Sequence, residues 1–314
     1  MTTTQHSRPQ RADSGPEGIV ARSRFAPKVV NLTAVLLPFI ALGLAIGLLW
    51  GVAFSWVQLV ILAGMYLITL FGVTIGYHRY FTHKSFKTPR WMAVVLAIMG
   101  SMAVEGSILD WVAHHRRHHR HSDQEGDPHS PAMSGTGIWG TIKGMWHAHL
   151  GWMFKSERSC AVRWAPDLQN DRLIRVMSRL FPLWVVVSLL LPALLGGLLT
   201  MSWSGALLGF LWGGVVRVGL VHHVSWSVNS VCHIWGTRPF KSHDESRNNA
   251  VFGVLALGEG WHNNHHAFPT SARHGLRWWE FDPSYCVIWC MSKLGLAREV
   301  KVPSAERMAA KKAD

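Results

Sequence analysis

The chain has 314 residues, a formal net charge of +13 and only 16% charged residues, against about 25% in ordinary soluble domains. Low charge density with positive mean hydropathy argues against a soluble enzyme and against disorder. Nucleic-acid-binding domains are seldom this apolar, so no nucleic-acid partner is expected, and an integral membrane protein with its basic residues on one side fits best. Four Cys without a CxxC pairing indicate neither a disulfide framework nor a zinc ribbon.

In chain order, residues 1–28 are polar and rich in Ser, Pro, Arg and Gln, and they read as a mobile tail with no cleavable signal peptide. From Val29 to Tyr77 there are 49 residues without Asp, Glu, Lys or Arg. As helix that is roughly 74 Å, against a hydrocarbon core of about 30 Å. Two passes are predicted, at about 30–51 and 55–77, turning near Gly51 to Ser55. A second uncharged run of 37 residues, Leu180 to Val216, predicts passes at about 180–200 and 204–224. Its turn falls near Thr200 to Ser204, and its last helix continues past Arg217 into water. Both turns lack charge, whereas Lys and Arg crowd the remaining segments, the positive-inside pattern with both termini cytoplasmic. The fold expected is all-α: four transmembrane helices in two hairpins, within a membrane domain over 29–302. A cytosolic helical cap is drawn from 78–178 and 225–302, followed by a C-terminal tail, 303–314. Trp91 to Leu109 is apolar but interrupted by Glu105. It reads either as a fifth pass or as a helix lying in the interface over about 91–109.

There are 19 His, and all but His6 fall between His78 and His274. Three clusters stand out: His78-Arg-Tyr-Phe-Thr-His83, His115-Arg-Arg-His118-His119 and His262-Asn-Asn-His265-His266. Random placement would rarely give even one HxxHH, and two are present. Helical residues i, i+3 and i+4 share a face, so each HxxHH is expected to aim three imidazoles at one point. His78 and His83 do not share an α-helical face and fit a bend just below the membrane. Imidazole suits iron, zinc, copper and nickel, so the residue type does not name the metal. Eight imidazoles exceed what one ion takes and suggest two ions. A shared site requires 91–109 not to cross, since His78 and His83 would otherwise face the opposite side. His114 and His121 are expected beside the ligands or in solvent. His129, His147 and His149 are expected to orient ligands, and His222 and His223 to extend the fourth span.

Hx4H, HxxHH and HxxHH in this order around two hairpins resemble the membrane fatty acyl desaturases of the stearoyl-CoA, Δ9 type. The resemblance runs from about Thr74 to Val302 and includes GYHRYFTHKSF, HSDQEGDPHSP, VNSVCHIWG and GEGWHNNHHAFPTSARHGLRWWEFD. It implies two iron ions as cofactor, O2 as co-substrate and removal of two hydrogens from an acyl chain, leaving a cis double bond. It also implies a ninth imidazole at His233 and an Asn, Asn229, reaching one iron through water, both within Asn229-Ser230-Val231-Cys232-His233. The implied ligands are thus His78, His83, His115, His118, His119, His233, His262, His265 and His266, with Asn229 through water, and Trp111 lining the acyl tunnel. No haem-binding HPGG occurs, so a separate electron donor of the ferredoxin/reductase or cytochrome b5 type is expected, with the active site on the cytoplasmic side of a bacterial cytoplasmic membrane. In acyl-CoA members Trp-Ala-Arg-Asp precedes the second cluster, and its Arg and Asp contact the CoA headgroup. Here the stretch is Trp111-Val112-Ala113-His114, which leaves acyl-CoA and acyl-lipid substrates both open, with Arg116, Arg117, Lys143 or Lys155 as substitute cations. Two other readings were weighed. A membrane di-iron hydroxylase or ketolase would more often begin with Hx3H. A metal transporter would hold its ligands near the bilayer midplane on broken helices, whereas these clusters lie outside the expected spans.

Overall fold

The computed structural model describes residues 19–21, 26–49, 55–155 and 157–313. Most of the expected tail over 1–28, and the expected turn at Gly51 to Ser55 up to residue 54, lie outside the described residues. The elements used below are α1 (Ala26–Leu49), α2 (Trp56–Thr82), α3 (Arg90–Ser101), α4 (Ile108–His121), α5 (Gly137–His149), α6 (Phe181–Thr200), α7 (Trp203–His233), α8 (Ala250–Leu255), α9 (His262–Ala267) and α10 (Pro283–Lys293). The two short strands β1 (Ile19–Ala21) and β2 (Glu157–Ser159) pair antiparallel.

Three helices, α2, α6 and α7, are long and apolar enough to cross a membrane. Their uncharged, Leu-, Ala- and Gly-rich sequences leave the helix as the way to satisfy every backbone group in lipid. The chain reverses after α6 at Met201, which adopts the left-handed conformation with φ 49°. Ser202 then caps α7 by accepting from Gly205 N at 3.0 Å. The two helices run antiparallel in contact because small residues face each other. A Cβ on Gly196 would stand 2.2 Å from Gly205 O, and one on Gly209 2.1 Å from Pro192 O. α1 lies against α7, where a Cβ on Gly219 would meet Pro38 Cβ at 2.4 Å.

Three expectations are corrected. The second pass does not end at Tyr77: α2 continues to Thr82, its last eleven residues, Gly72–Thr82, forming a π-helix. The stretch 91–109 is not one helix. α3 stops at Ser101, the chain bends through Val104 (φ 66°) and Gly106 (φ 111°), and Ser107 caps α4. At 12 residues α3 measures about 18 Å, well short of the hydrocarbon thickness of about 30 Å. Arg217 does not lie in water. It is fully buried and donates to Gly213 O, Met102 O, Ser188 O and Ser188 Oγ at 2.7–3.0 Å. The C-terminal tail meets the cap, with Lys311 Nζ donating to Ala267 O at 2.7 Å.

The main core forms where the π-helical end of α2 meets α3, α4 and α10, around Ile75, Tyr77, Leu96, Ile108, Val112 and Ile288. Glycines set the approach of α3 to α2. A Cβ on Gly72 would lie 2.2 Å from Gly100 N, and one on Gly100 2.5 Å from the Tyr77 ring. Gly72→Ala therefore forces α3 outward, and overpacking of this kind costs about 1–3 kcal/mol. A lower thermal midpoint of the solubilised protein is expected for this variant. Gly64→Ala, with nothing within 4 Å, should not lower it. Equal midpoints would show that the α2–α3 contact is not close-packed.

Candidate metal centre

The π-helix explains the spacing of the first cluster. In an α-helix His78 and His83 would diverge, but a π turn bonds i to i+5. His83 N donates to His78 O at 3.1 Å, and Thr82 Oγ1 satisfies Tyr77 O at 2.8 Å. Both imidazoles then face the same way, with ring centroids 4.8 Å apart. The expectation that each HxxHH converges on one point is corrected. The structure gathers His78, His83, His115, His119 and His265 into one group, and His118, His233, His262 and His266 into another, the ring nitrogens within each lying within 4.8 Å of one another. At 3.6 residues per turn, i+4 lies about 40° from i, whereas i+3 lies about 60° to the other side. α4 therefore sends His115 and His119 to the first group and His118 to the second. α9 does the reverse, with His262 and His266 in the second and His265 in the first.

Within the first group, Nε2 atoms approach at 3.0 Å (His78–His265), 2.9 Å (His265–His119) and 3.0 Å (His119–His115). These cannot all be hydrogen bonds, because an imidazole nitrogen has either one proton or one lone pair. His265 Nε2 and His119 Nε2 each face two neighbours. In the second group His233 Nε2 stands 3.0 Å from His262 Nε2. Metal–imidazole bonds of about 2.0–2.1 Å meeting at right angles would place donors about 2.9 Å apart. His83 Nε2, His118 Nε2 and His266 Nε2 are buried without a partner among the described residues. Buried, convergent and unpaired nitrogens are what a metal ion would satisfy, and the residues fit one ion per group.

Carboxylates stand behind the rings. Glu259 Oε2 stands 2.7 Å from His78 Nδ1, and three hydrogen-bonded pairs complete the set: Asp127 accepts from His118 Nδ1 at 3.0 Å, Asp123 from His233 Nδ1 at 2.7 Å, and Asp244 from His266 Nδ1. Each pair fixes the tautomer, with the proton on Nδ1 and the lone pair on Nε2. Arg79, fully buried, bonds Glu259 and Asp282 at 3.0–3.1 Å, and Glu259 also receives His274 Nδ1 at 3.1 Å. Burial alone would push these acids up. The neighbouring imidazoles win: His233 helps hold Asp123 at about 2, and Asp127, Asp244 and Glu259 are likewise held below the usual carboxylate range. Sequence reasoning missed all four carboxylates. The available signal was their position, since Asp123 and Asp127 lie in the string that follows the second cluster and Glu259 three residues before the third.

The other candidates fall around these groups. Asn229 is half-buried on α7, one turn before His233. Trp111 stacks on His115 (centroids 4.9 Å, 21° between planes) and donates Nε1–H to Glu105 Oε2 at 3.1 Å. Glu105, buried and also bonded by Ser225 Oγ at 3.2 Å, is pushed by burial up to about 7. His129 lies beside His118 with centroids 4.5 Å apart. His114 meets Ser159 Oγ at 3.0 Å, and the His121 ring packs on Trp164. His147 is exposed to half-buried and belongs to neither group. His149 bonds His223 and Ser230, while His222 bonds Ala103 O at 3.0 Å, so these three stand outside both groups.

Three helices long and apolar enough to cross a membrane, joined to a carboxylate-backed double histidine cluster that could hold metal, describe a helical membrane protein of a metal-binding type. The Fatty acid desaturase family model matches residues 54–285, and the chain belongs to that family, whose members are oxidoreductases. Among its relatives, a hex-5-enoyl-[acyl-carrier protein] acetylenase of Moorena producens is 46% identical over 88% of this chain and 87% of its own length. An acyl-CoA C20 Delta5-desaturase of Anemone leveillei is 40% identical over 80% and 76%. An sn-1 stearoyl-lipid 9-desaturase of Anabaena variabilis is 39% identical over 83% and 91%.

The clusters predict an acid-labile metal-free protein. Burial, reinforced by neighbouring rings, holds His83, His115, His119, His262 and His265 well below the ordinary 6.5 and His266 at about 4. Such groups bind fewer protons folded than unfolded, so their contribution to stability is complete above pH 6.5 and is lost as pH falls below it. His118, raised overall by Asp127 against its burial, and Glu105, raised by burial, act oppositely but are outnumbered. The thermal midpoint of metal-stripped protein should therefore fall between pH 6.5 and about 5, above the range where ordinary carboxylates titrate. A flat profile there would contradict neutral packing of the rings.

Proposed function

We propose that the chain is an O2-dependent fatty acyl desaturase that introduces a cis double bond at the Δ9 position of a saturated long-chain acyl group. The reading rests above all on the sorting of nine imidazoles, seven buried and two half-buried, into groups of five and four whose ring nitrogens converge. Iron is proposed at both groups, the first held by His78, His83, His115, His119 and His265. The second is held by His118, His233, His262 and His266, with Asn229 through water completing it. When bound, the two irons would supply O2 reduction and hydrogen abstraction from the acyl chain, chemistry for which no side chain is a strong enough oxidant. The protein's own part is to orient the rings through Glu259, Asp127, Asp123 and Asp244, to keep water out by burial, and to present the acyl chain. Trp111, fixed by Glu105 and stacked on His115, forms a wall of that acyl site. α1 is proposed as a fourth span beside α2, α6 and α7, making two hairpins with the centre and both termini on the cytoplasmic side of a bacterial cytoplasmic membrane. Electrons come from a separate donor of the ferredoxin/reductase or cytochrome b5 type.

His115→Ala, His119→Ala, His262→Ala and His266→Ala should each abolish turnover, and the wild type should retain about two irons per chain. Asp244→Asn or Asp127→Asn should weaken metal retention about 10–100-fold at the second group first, so that metal analysis finds close to one ion. Asn229→Ala should lose activity while keeping most of its metal. Stoichiometric zinc in active protein would exclude the iron assignment, and full activity of the Asn229 variant would remove that residue from the site.

The acyl carrier is addressed by charge. Arg116 is tied to Asp167 and to the carbonyls of Phe81 and Trp164, and Arg117 is buried, so neither is placed to replace the missing Arg–Asp pair. Arg158, Arg175 and Arg179 instead line a cavity of about 490 Å³ beside Asp110, at the start of α4. Guanidinium groups suit phosphate, and both CoA and phospholipid carry it. In membranes given labelled stearoyl-CoA with acyl transfer blocked, oleoyl-CoA should form before any labelled lipid if CoA is the carrier. Desaturated label confined to lipid, once transfer is restored, would make acyl-lipid the substrate.

A further inference from the structure

The cap carries an apolar surface that the desaturase chemistry does not use. On α8 the side chains of Val251, Val254 (57% exposed) and Leu255 point outward. On the loop before α10, Trp278 (90%), Trp279 and Phe281 (59%) do the same. The two segments are one surface: Trp261 donates Nε1–H to Phe281 O at 2.8 Å, and its ring lies where a Cβ on Gly253 would meet it at 2.7 Å. Contiguous apolar exposure on this scale marks an interaction surface rather than ordinary solvent exposure.

Its position selects the partner. α2 presents Val60, Leu67 and Ile68 outward, as a lipid-facing helix does, and from Thr69 to Arg79 its side chains are buried or half-buried. Where the outward band ends, Tyr66 donates its hydroxyl to Leu255 O at 2.8 Å. Tyr66 lies next to Leu67 and Ile68, the last residues of that outward band before the buried end of α2. α8 is thus level with lipid, and its outward side chains continue the apolar band of the span. Trp235 (61% exposed) lies just beyond the end of α7 and touches the same region through Asn249, which donates to its carbonyl at 3.3 Å. The Arg277 guanidinium stacks over Trp279 at 5.2 Å. Tryptophan with a neighbouring cation is the side-chain chemistry of the boundary between acyl chains and headgroups.

We propose that α8 and the loop carrying Trp278, Trp279 and Phe281 are sunk into the bilayer interface, so that this face of the cap is a lipid contact rather than a protein-docking or water-facing surface. Trp278 and Phe281 lie at the level of the first acyl carbons, Arg277 at the headgroup phosphates, and Val251, Val254 and Leu255 in the hydrocarbon.

The test uses the full chain in lipid nanodiscs containing phosphatidylglycerol. The exposed native thiols are removed by Cys286→Ser and Cys290→Ser. Single nitroxide labels are placed through Trp278→Cys, Val254→Cys and, as a water-facing control on a cap loop, Glu125→Cys, each variant being checked for native helix content. Labels at 254 and 278 should be severalfold more accessible to dissolved oxygen than to a water-soluble nickel chelate, with the order reversed at 125. Nickel accessibility at 254 and 278 matching that at 125 would show a water-facing surface and overturn the proposal. Protection from both reagents would overturn it too, by showing that a second copy or another protein covers the face. Neither readout depends on metal loading or turnover, so the result stands apart from that of the desaturase assays.

Discussion

A buried imidazole can satisfy one partner with its proton and another with its lone pair, and the centre of this protein is built by deciding which nitrogen does which. A carboxylate behind His118, His233 and His266 accepts from the Nδ1–H, another stands 2.7 Å behind His78 Nδ1, and Nε2 is left as a lone pair aimed inward. That polarity makes nitrogens 3 Å apart repel one another unless a cation lies between them. Lone pairs aimed at one another in this way are what a bound cation would satisfy. The same acids would be poorly tolerated at this depth if the protein did not compensate them, and Arg79 does so for Glu259 and Asp282 from the residue next to His78. Ligand, backing acid and compensating cation thus share one short stretch of α2 and its neighbours.

One helical irregularity and two regular helices carry this arrangement. A regular α-helix could bring only one of His78 and His83 to the first group, and the π turn brings both without breaking the helix that anchors them in the membrane. α4 and α9, by contrast, are regular, and their i, i+3, i+4 pattern divides between the two groups because the i+3 ring falls on the other side of i from the i+4 ring. Each helix passes between the two groups and gives two rings to one and one to the other, in opposite senses. A rotation of either helix would disturb both groups at once, which couples the groups mechanically as well as electrostatically.

The sequence made the three histidine clusters legible, because imidazole-rich spacing of that kind has no common structural cause, and their uncharged flanks made the apolar helices legible by length. It did not reveal how the rings are shared. A periodicity argument treats i, i+3 and i+4 as one face, and only the position of the opposing helix decides that the face is split. The π turn was invisible for a related reason: Gly72 to Thr82 has no composition that separates i+5 from i+4 bonding, and the choice is made by packing against α3. The helix expected over 91–109 failed on local chemistry. Gly106 in the left-handed region and the Ser107 cap were both readable signals, masked by the apolar run before them. The backing acids lie 9, 22 and 110 residues from the rings they serve at His118, His266 and His233, and for the two longer separations no local pattern could have paired them.

Arg217 shows how the centre is registered to the membrane helices. A guanidinium buried in a spanning helix ordinarily faces a carboxylate or water, yet this one is held by the carbonyls of Gly213, Met102 and Ser188 and by the Ser188 hydroxyl. Five residues on, His222 bonds Ala103 O, and three further on Ser225 bonds Glu105. Residues 217, 222 and 225 of α7 thus engage 102, 103 and 105 in the same order, a polar ladder along the bend that joins α3 to α4. In the bend the amides of Met102, Ala103 and Val104 turn back onto Ile98, Gly100 and Ser101, while Met102 O accepts from both Ser188 and Arg217 and Ala103 O from His222, so the buried carbonyls are satisfied from outside the bend. Through the ladder the start of α4, and with it His115, is fixed along α7 relative to His233 at the end of that helix. Glu105 then passes the constraint to Trp111 and so to the ring of His115. The two groups keep their spacing because the bend between α3 and α4 is bonded rung by rung to the helix that brings His233.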